Sequence, residues 1–341
     1  MEKLNICFIT HPGAHDNIME QGNKIIQQVF SNDHYKTVTS DPDVIFVLTG
    51  GSEKQATQII NDQRFLLIIA NEANNSYAAA SEIKSFANTK NINSILVNID
   101  HDDLKIHLEV FHKVKNALRK FKNYNLGLIG NVSEWLINSS IEASVIKEKL
   151  GIKLKKIDWP DRNKITSYPV SESFVQYFSG TKNFDLSDSS KVYALLTEVI
   201  EKHEFDAITV ECFPLVKEQK VTACLSLSKL MDEGIPAGCE GDLTSIIGMI
   251  LSKEMFGIIP WMANLISVNE KEVLFAHCTI GTHLLESYTI NTHFESNIGT
   301  AIQGKVKANE ATIFRIDAKL EKAFITQGKI VEIPFREDAC R

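Results

Sequence analysis

Three pieces of sequence decide the fold of this 341-residue chain: DAITVECFP (206–214), TACLSLSKLMDEGIPAGCEGDLTSIIGMILSKEMFGIIPWMAN (222–264) and VLFAHCT (273–279). Together they contain four short apolar runs, and each run ends in a polar or metal-binding residue. The segments between the first three runs, 222–233 and 243–256, have the apolar spacing of helices. The pattern therefore predicts strand–helix–strand–helix–strand, which is typical of a parallel sheet.

Four side chains follow these apolar runs directly, namely Glu211, Glu240, Asn264 and His277. The carboxyl ends of parallel strands meet at one edge of a sheet, where ligands bind in open α/β folds. We therefore expect these carboxylate, amide and imidazole groups to form one site. Glu211 could bind a metal, act as an acid or base, or pair with a lysine, and its position alone does not separate these roles.

The segment GCEGDL (238–243) holds the strongest catalytic candidate. Asp242 stands where the N-cap of the helix 243–256 belongs, which explains Asp242 as a structural residue. Glu240 has no such explanation. A carboxylate at a sheet edge beside a helix N-terminus has a stabilised charge, which suits a metal ligand or a general base.

Further candidates lie elsewhere in the chain. Trp135 could stack on a sugar or pack in the interior, and His293 and Glu295 lie in a polar loop that could contact a substrate. The glycine-containing segment 49–53 (TGGSE) indicates a strand-to-helix turn with Ser52 as N-cap, or a ligand contact. The sequence has no GxSxG, HExxH or Cys/His zinc spacing, which disfavours serine or cysteine hydrolases and zinc proteases.

Composition excludes several classes of partner. A net charge of −7 and a pI near 5.8 give no basic surface for nucleic acid. No apolar run approaches the roughly 18 residues of a membrane span. The six cysteines form no CxxC pair and mostly lie in apolar runs, as in a reducing compartment. With an N-terminus that passes straight into a strand, these features predict a cytoplasmic protein.

The alternation of strands and helices predicts an α/β fold with two Rossmann-like, doubly wound parallel-sheet domains and a small β-rich C-terminal domain. The expected boundaries are 1–121, 122–283 and 284–341. The last region carries short alternating runs that we expect to form antiparallel strands or a partial barrel. The long polar connection 159–191 indicates a lid or an oligomer contact.

The motifs resemble those of the short relatives of L-fucose isomerase, which are more distantly similar to L-arabinose isomerase. The resemblance covers most of the chain, and its motifs are LTGGSE (48–53), NNSYAAASEI (74–83), GLIGNVSEWLINS (127–139), ECFP (211–214), LMDEGIPAGCEGDL (230–243), PWMAN (260–264), AHCTI (276–280), HFESNIGTAIQG (293–304) and REDACR (336–341). CEGDL followed by HFES is specific to this family. The resemblance implies a homo-oligomer that acts on a small-molecule sugar.

The resemblance also implies an aldose–ketose isomerase that uses Mn²⁺ or another divalent cation and a cis-enediol intermediate, with a fucose-, arabinose- or modified deoxy-sugar substrate. Glu240 matches a metal-binding glutamate that also moves protons, with Glu211 as a second catalytic candidate. Asn264 and His277 match the other metal ligands. For substrate binding, the candidates are Asn75, Ser76, Trp135, His293 and Glu295.

The sequence departs from the family pattern at three places. Asn264 replaces an acidic ligand, Glu211 stands where relatives commonly have arginine, and the His-containing segment that follows the β domain in relatives would lie beyond Arg341. These departures predict weaker metal binding. They leave open a degenerate relative that binds a sugar or sugar acid without isomerising it, or another enediolate reaction such as epimerisation or retro-aldol cleavage.

Overall fold

The structure is a computed structural model that describes residues 2–14, 16–60, 65–160, 162–178, 184–293 and 296–334. The chain divides into two compact units, Met1–Arg119 and Lys120–Arg341. The C-terminal strands lie in the same unit as the second parallel sheet. The division into three domains stays a prediction.

The first unit is a five-stranded, all-parallel sheet with helices on both faces. Its strand order is β2-β1-β3-β4-β5. The strands are β1 (Leu4–Ile9), β2 (Tyr35–Thr37), β3 (Val44–Val47), β4 (Phe65–Ala70) and β5 (Asn93–Asn98). The helices are α1 (Asp16–Val29), α2 (Glu53–Ile59), α3 (Ser76–Thr89) and α4 (Leu104–Phe121), the last of which crosses the unit boundary.

Alternating residues of the central strands enter two different cores. Ile6 and Phe46 belong to the core on one face of the sheet, while Cys7 and Ile45 belong to the core on the other. Since both faces are covered, the central strands β3 and β4 are apolar at every position, as is typical of parallel sheets. The apolar runs at β1, β3, β4 and β5 were therefore recognisable as strands.

The second unit contains a four-stranded parallel sheet with the order β7-β6-β8-β9. The strands are β6 (Asn125–Ile129), β7 (Lys153–Ile157), β8 (Ala207–Val210) and β9 (Ala237–Gly238). The helices are α5 (Ala143–Leu150), α6 (Glu172–Tyr177), α7 (Ser187–His203), α8 (Phe213–Gln219), α9 (Cys224–Asp232) and α10 (Leu243–Phe256). Two short 3₁₀ segments, Arg162–Ser167 and Thr282–Leu284, complete the helical elements.

Helix α10 shows how the sequence sets its own limits. The Asp242 side chain accepts a hydrogen bond from the Ser245 N–H at 2.8 Å, which confirms Asp242 as the N-cap. The helix ends at Gly257, whose φ of +74° is the left-handed conformation that glycine adopts without a steric penalty. The predicted bounds, 243–256, match the structure.

The remaining strands form three antiparallel hairpins. They are β10 (Asn264–Val268) with β11 (Val273–Ala276), β12 (Leu285–Asn291) with β13 (Ala301–Val306), and β14 (Glu310–Ile316) with β15 (Ala323–Lys329). Within the described part of the chain these strands pair only in twos. The expectation of a partial barrel is therefore wrong, and that of antiparallel strands is confirmed.

Two further expectations are corrected. Residues 258–263 form no strand, since Pro260 lacks the N–H that a central strand donates. Asn264 instead begins the antiparallel strand β10. The sequence also predicts a helix over 134–150, but the helix begins only at Ala143. The preceding loop is held by contacts to distant segments, such as the hydrogen bond from the Leu243 N–H to the Ser139 carbonyl.

No helix among the described residues is both long and apolar enough to cross a membrane.

Candidate active site at the edge of the second sheet

The carboxyl ends of β6 and β8 form the centre of the candidate site. The strand order reverses direction at β6, and open α/β sheets bind ligands at such a switch point. Asn131 follows β6 and Glu211 follows β8. Glu211 Oε2 accepts hydrogen bonds from the backbone N–H of Asn131 at 2.8 Å and from its side-chain amide at 3.1 Å. The carboxylate therefore has a fixed position above the strand ends.

Gly130 allows this close approach. Its φ is +85°, and a Cβ built on it would lie 2.6 Å from Glu211 Oε2. Only glycine combines that backbone conformation with that space. The Trp159 indole also donates to the Glu211 carbonyl oxygen at 2.8 Å, so the backbone of Glu211 is held as well.

One cation lies at the same edge. Lys156 Nζ, on β7, donates to the Asn131 side-chain oxygen at 2.6 Å. The lysine is therefore linked to Glu211 through Asn131 rather than by a direct ion pair in the contacts described. An exposed ammonium beside a carboxylate gives this edge both signs of charge.

Glu240 follows β9 and has an unusual backbone. Its φ of +61° lies in the left-handed region, which is costly for a residue with a side chain. Its carbonyl oxygen accepts from the Ser133 N–H at 2.9 Å, and its carboxylate Oε2 accepts from the Trp135 indole at 3.0 Å. Strained residues of this kind concentrate at functional sites. The half-buried Glu240 carboxylate thus faces the loop that also contacts Glu211.

Gly241 brings the two loops together. Its φ is +68°, and a Cβ there would lie 2.4 Å from the Asn131 carbonyl oxygen. The segment that carries Glu240 therefore packs directly on the backbone of the segment that holds Glu211. This contact places both catalytic candidates at one end of the sheet.

Trp135 is a half-exposed aromatic surface beside these carboxylates, with 51% of its surface accessible. It does not lie in a helix. The edge of its ring packs on Phe213 with 4.9 Å between ring centres, and Phe213 in turn contacts His293. His293 is buried, and Glu295 lies outside the described residues. Trp135 therefore both packs and presents an exposed ring.

Asn264 and His277 lie on neighbouring strands of one hairpin. Asn264 pairs with Ala276, the residue before His277, but Asn264 is exposed whereas His277 is only 1% exposed. The His277 Nδ1 accepts from the Thr279 N–H at 3.3 Å. Its ring nitrogen lies within 4.8 Å of the sulfurs of Cys239 and Cys278.

These surroundings do not match Mn²⁺ by donor type. Mn²⁺ prefers oxygen ligands, and thiolates favour softer ions such as Zn²⁺. Among the described His, Cys, Asp and Glu residues, His277 joins a group of three ligand atoms only with cysteines, and Glu240 joins none. The metal-binding roles of Glu240, Asn264 and His277 stay predictions, and we assign no reaction step to a bound metal.

Asn75 and Ser76 lie in the first unit. Asn75 is exposed with a φ of +55°, whereas the Ser76 hydroxyl is buried, donates to the Val47 carbonyl and accepts from the Asn71 N–H at 3.1 Å. Ser76 thus anchors the turn before α3. Its role in substrate binding stays a prediction, as does that of Asn75.

The segment TGGSE forms the expected strand-to-helix turn. Ser52 is the N-cap residue of α2, as predicted, but its side chain makes no capping hydrogen bond. Its hydroxyl donates to the Thr49 carbonyl oxygen at 2.8 Å. Beside this turn lies a cavity of about 550 Å³, lined by Thr10, His11, Pro12, Ala14, Met19, Gly51, Lys54, Gln55 and Gln58. No carboxylate is among these lining residues. The two acid–base candidates, Glu211 and Glu240, both lie in the second unit.

Sequence reasoning missed two features of the second unit. Asn131 orients Glu211, yet a polar residue after a strand is common and gave no signal. Six buried cysteines and histidines also lie close together, at positions 212, 224, 239, 277, 278 and 293. The hydrogen bond with Cys239, together with burial, raises the pKa of the Cys212 thiol. Their spacing along the chain is irregular, so no zinc motif was visible.

Three similar proteins described here all have the name sulfoquinovose isomerase. The chain is 26% identical over 220 residues to a protein named sulfoquinovose isomerase from Priestia megaterium, covering 60% of this chain and 49% of that relative. It is 22% identical over 262 residues to a sulfoquinovose isomerase from Alkalicoccus urumqiensis, covering 70% of this chain and 58% of the relative.

A sulfoquinovose isomerase from Clostridium sp. (strain MSTE9) is 20% identical over 286 residues, covering 77% of this chain and 64% of the relative. The matches therefore span about half to two thirds of the length of these relatives. No family model matches the chain. The similarities support a relationship with sugar isomerases, and they do not single out L-fucose isomerase.

Proposed function

We propose that this protein is an aldose–ketose isomerase that acts on a modified sugar of the sulfoquinovose type. The observation that carries the proposal is Glu240, which is held in a costly left-handed backbone conformation with its carboxylate on the Trp135 indole. Glu240 follows β9, the strand beside β8, so it ends at the same sheet edge as Glu211. Proton transfer next to a sugar carbonyl needs a base of this kind.

The reaction requires two kinds of proton transfer. A base takes the proton from C2 of the aldose while O1 gains a proton, which gives a cis-enediol. The same proton or its replacement is then returned to C1 while O2 loses its proton, which gives the ketose. We assign the carbon-bound proton to Glu240 and the exchange at the oxygens to Glu211, since the two residues end adjacent strands, β8 and β9.

The neighbouring groups explain how a sugar would be positioned. The exposed Trp135 ring offers an apolar surface for the C–H face of a sugar. Sulfoquinovose carries a sulfonate, and Lys156 is the cation closest to Glu211 through the described hydrogen bonds, by way of Asn131. We propose Lys156 as the partner of the negatively charged group.

Dependence on Mn²⁺ or another divalent cation stays part of the proposal, as does a homo-oligomeric state. A divalent ion would supply stabilisation of the negative charge that develops on O1 and O2. The check is activity after chelation and after return of Mn²⁺, with oligomer mass measured by light scattering on the same samples.

Glu240→Gln tests the assignment, because glutamine keeps the shape and can still accept the Trp135 hydrogen bond but cannot take up a proton. Wild-type protein, supplied with Mn²⁺ and sulfoquinovose in D₂O, should exchange the C2 hydrogen and form ketose. Loss of the base should lower kcat about 10²- to 10⁴-fold.

Glu134→Gln is the matched control, since Glu134 is an exposed carboxylate on the same loop. It should leave kcat unchanged. If Glu240→Gln retains more than about a tenth of wild-type turnover, Glu240 is not the base. If the wild-type protein exchanges no hydrogen with any aldose, isomerisation itself is excluded.

A second candidate function is sugar binding without isomerisation. It is favoured by the neutral, exposed Asn264 and by the sulfur neighbours of His277. A binding protein of this kind would be stabilised against heat by the sugar through linkage. Mn²⁺ would shift its Tm little, and no hydrogen exchange would occur. A strong fall of Tm on chelation argues against it.

A further inference from the structure

Two cysteines and a histidine meet in the interior of the second unit. Cys224 begins α9, Cys278 follows β11, and His293 follows β12. Their exposures are 2%, 3% and 3%, and one ligand atom from each lies within 4.8 Å of the other two. Three metal-binding side chains from separate parts of the sequence thus converge where water does not reach.

The separation of the sulfurs fits ligands of a common ion. Cys224 Sγ and Cys278 Sγ are 3.5 Å apart, far longer than the roughly 2.05 Å of a disulfide. Two thiolates on a tetrahedral Zn²⁺ with Zn–S bonds of about 2.3 Å are separated by about 3.8 Å. A shift of a few tenths of an ångström would therefore admit the ion.

Local structure favours the thiolate form of Cys224 and a fixed orientation of the His293 ring. Cys224 is the first residue of α9, and a helix N-terminus stabilises a thiolate. The Ser296 hydroxyl lies 3.1 Å from His293 Nδ1. A hydrogen bond to the ring nitrogen that does not bind the metal fixes the orientation of a metal-binding imidazole.

Packing alone would explain two thiols beside Ala301, which form a small apolar cluster. It would not explain an imidazole buried against the same sulfurs, because an apolar environment disfavours such a polar ring.

We propose that Cys224, Cys278 and His293 form a buried site for a borderline-soft divalent cation of the Zn²⁺ class. The site uses none of Glu211, Glu240, Trp135 and Lys156, although it takes His293, which the sequence also offered as a substrate-binding candidate. It ties the start of α9 to the segments that follow β11 and β12, and its role is to stabilise this part of the second unit.

The test uses the full chain, reduced and stripped of metal, and titrated with Zn²⁺ and with Co²⁺ as a spectroscopic probe. We expect one Zn²⁺ per chain by elemental analysis, a rise in Tm, and a near-ultraviolet thiolate-to-Co²⁺ absorption. Cys224→Ser and His293→Gln should weaken Zn²⁺ binding more than about 100-fold, since even outer-sphere changes cost 10- to 100-fold.

Cys7→Ser is the matched control, because Cys7 is equally buried but lies in the core of the first unit. It should bind Zn²⁺ as the wild type does. The Co²⁺ spectrum of the wild type keeps the test decisive even where a variant fails to fold. Absence of the thiolate absorption, unchanged binding by both ligand variants, or a Cys224–Cys278 disulfide in freshly purified protein would each overturn the proposal.

Discussion

Gly130→Ala perturbs the candidate site without replacing either of the catalytic candidates, Glu211 and Glu240. The new methyl group would lie 2.6 Å from Glu211 Oε2 and 3.1 Å from the Trp159 ring, and the residue would have a φ of +85°. Ordinary contact needs about 3.5 Å, so the carboxylate must move by nearly 1 Å. A displacement of that size in an active site costs up to about 100-fold in rate.

The backbone contribution can be separated with a second glycine. Gly234 has a φ of +86°, and a Cβ there would meet nothing within 4 Å. Gly234→Ala therefore measures only the left-handed backbone penalty, about 1–2 kcal/mol of unfolding free energy. Gly130→Ala has the same backbone penalty and in addition the close contact with Glu211. We expect this contact to lower the unfolding free energy by about 1–3 kcal/mol more.

The assays are urea unfolding for both variants and kcat for the sugar isomerisation under conditions where both are folded. We expect Gly234→Ala to keep wild-type kcat and Gly130→Ala to lose about 10- to 100-fold. Equal kcat in the two variants would show that the position of Glu211 does not matter for turnover, and the role of Glu211 would have to be withdrawn.

Three further predictions concern other parts of the second unit. Lys156→Met should raise KM for a sulfonated sugar about fivefold while leaving KM for its uncharged analogue unchanged, as expected for one exposed ion pair; equal effects on both sugars would refute the assignment. Glu211→Gln should lower kcat at least about tenfold with KM little changed, as for a group that acts mainly in the transition state, and a change confined to KM would contradict this. The third prediction concerns pH. The hydrogen bond to Asp232 raises the pKa of His283 above 6.5. Burial alone would raise the pKa of Asp232, but hydrogen bonds from His283 and its neighbours lower it below 3.8. The pair therefore contributes its full stability between about pH 4 and 6.5, and this contribution is lost as pH rises through the raised pKa of His283. The wild-type Tm should fall more between pH 6 and 8.5 than the Tm of His283→Gln. Parallel Tm curves for the two proteins would refute this prediction.

The sequence predicted those parts of the fold whose signals are local. Helix α10 carries its own cap, Asp242, and its own terminator, Gly257, and the buried strands β3 and β4 are apolar throughout. Glu240 and Glu211 were recognisable as candidates because each follows such a strand directly. Residues 258–263 were misread because an apolar run containing Pro260 has a strand's composition without its hydrogen-bond donors.

The rest depends on contacts between distant residues. The loop 134–142 has helix-forming residues, but bonds to the segments around Glu240 and Leu243 hold it as turns. The position of Asn131 beside Glu211 and the meeting of Cys224, Cys278 and His293 arise only when segments far apart in sequence come together. Apolar periodicity and local motifs carry no information on such meetings.

The left-handed backbone at Glu240 has a consequence for protein engineering. A glycine in its place would remove an energetic burden of about 1 kcal/mol from the native state. A search for thermostable variants that ignores catalysis should therefore select replacements at this position. With Glu240 in the role of base proposed above, such variants would be stable but inactive. Screens that score heat resistance need to hold residue 240 fixed.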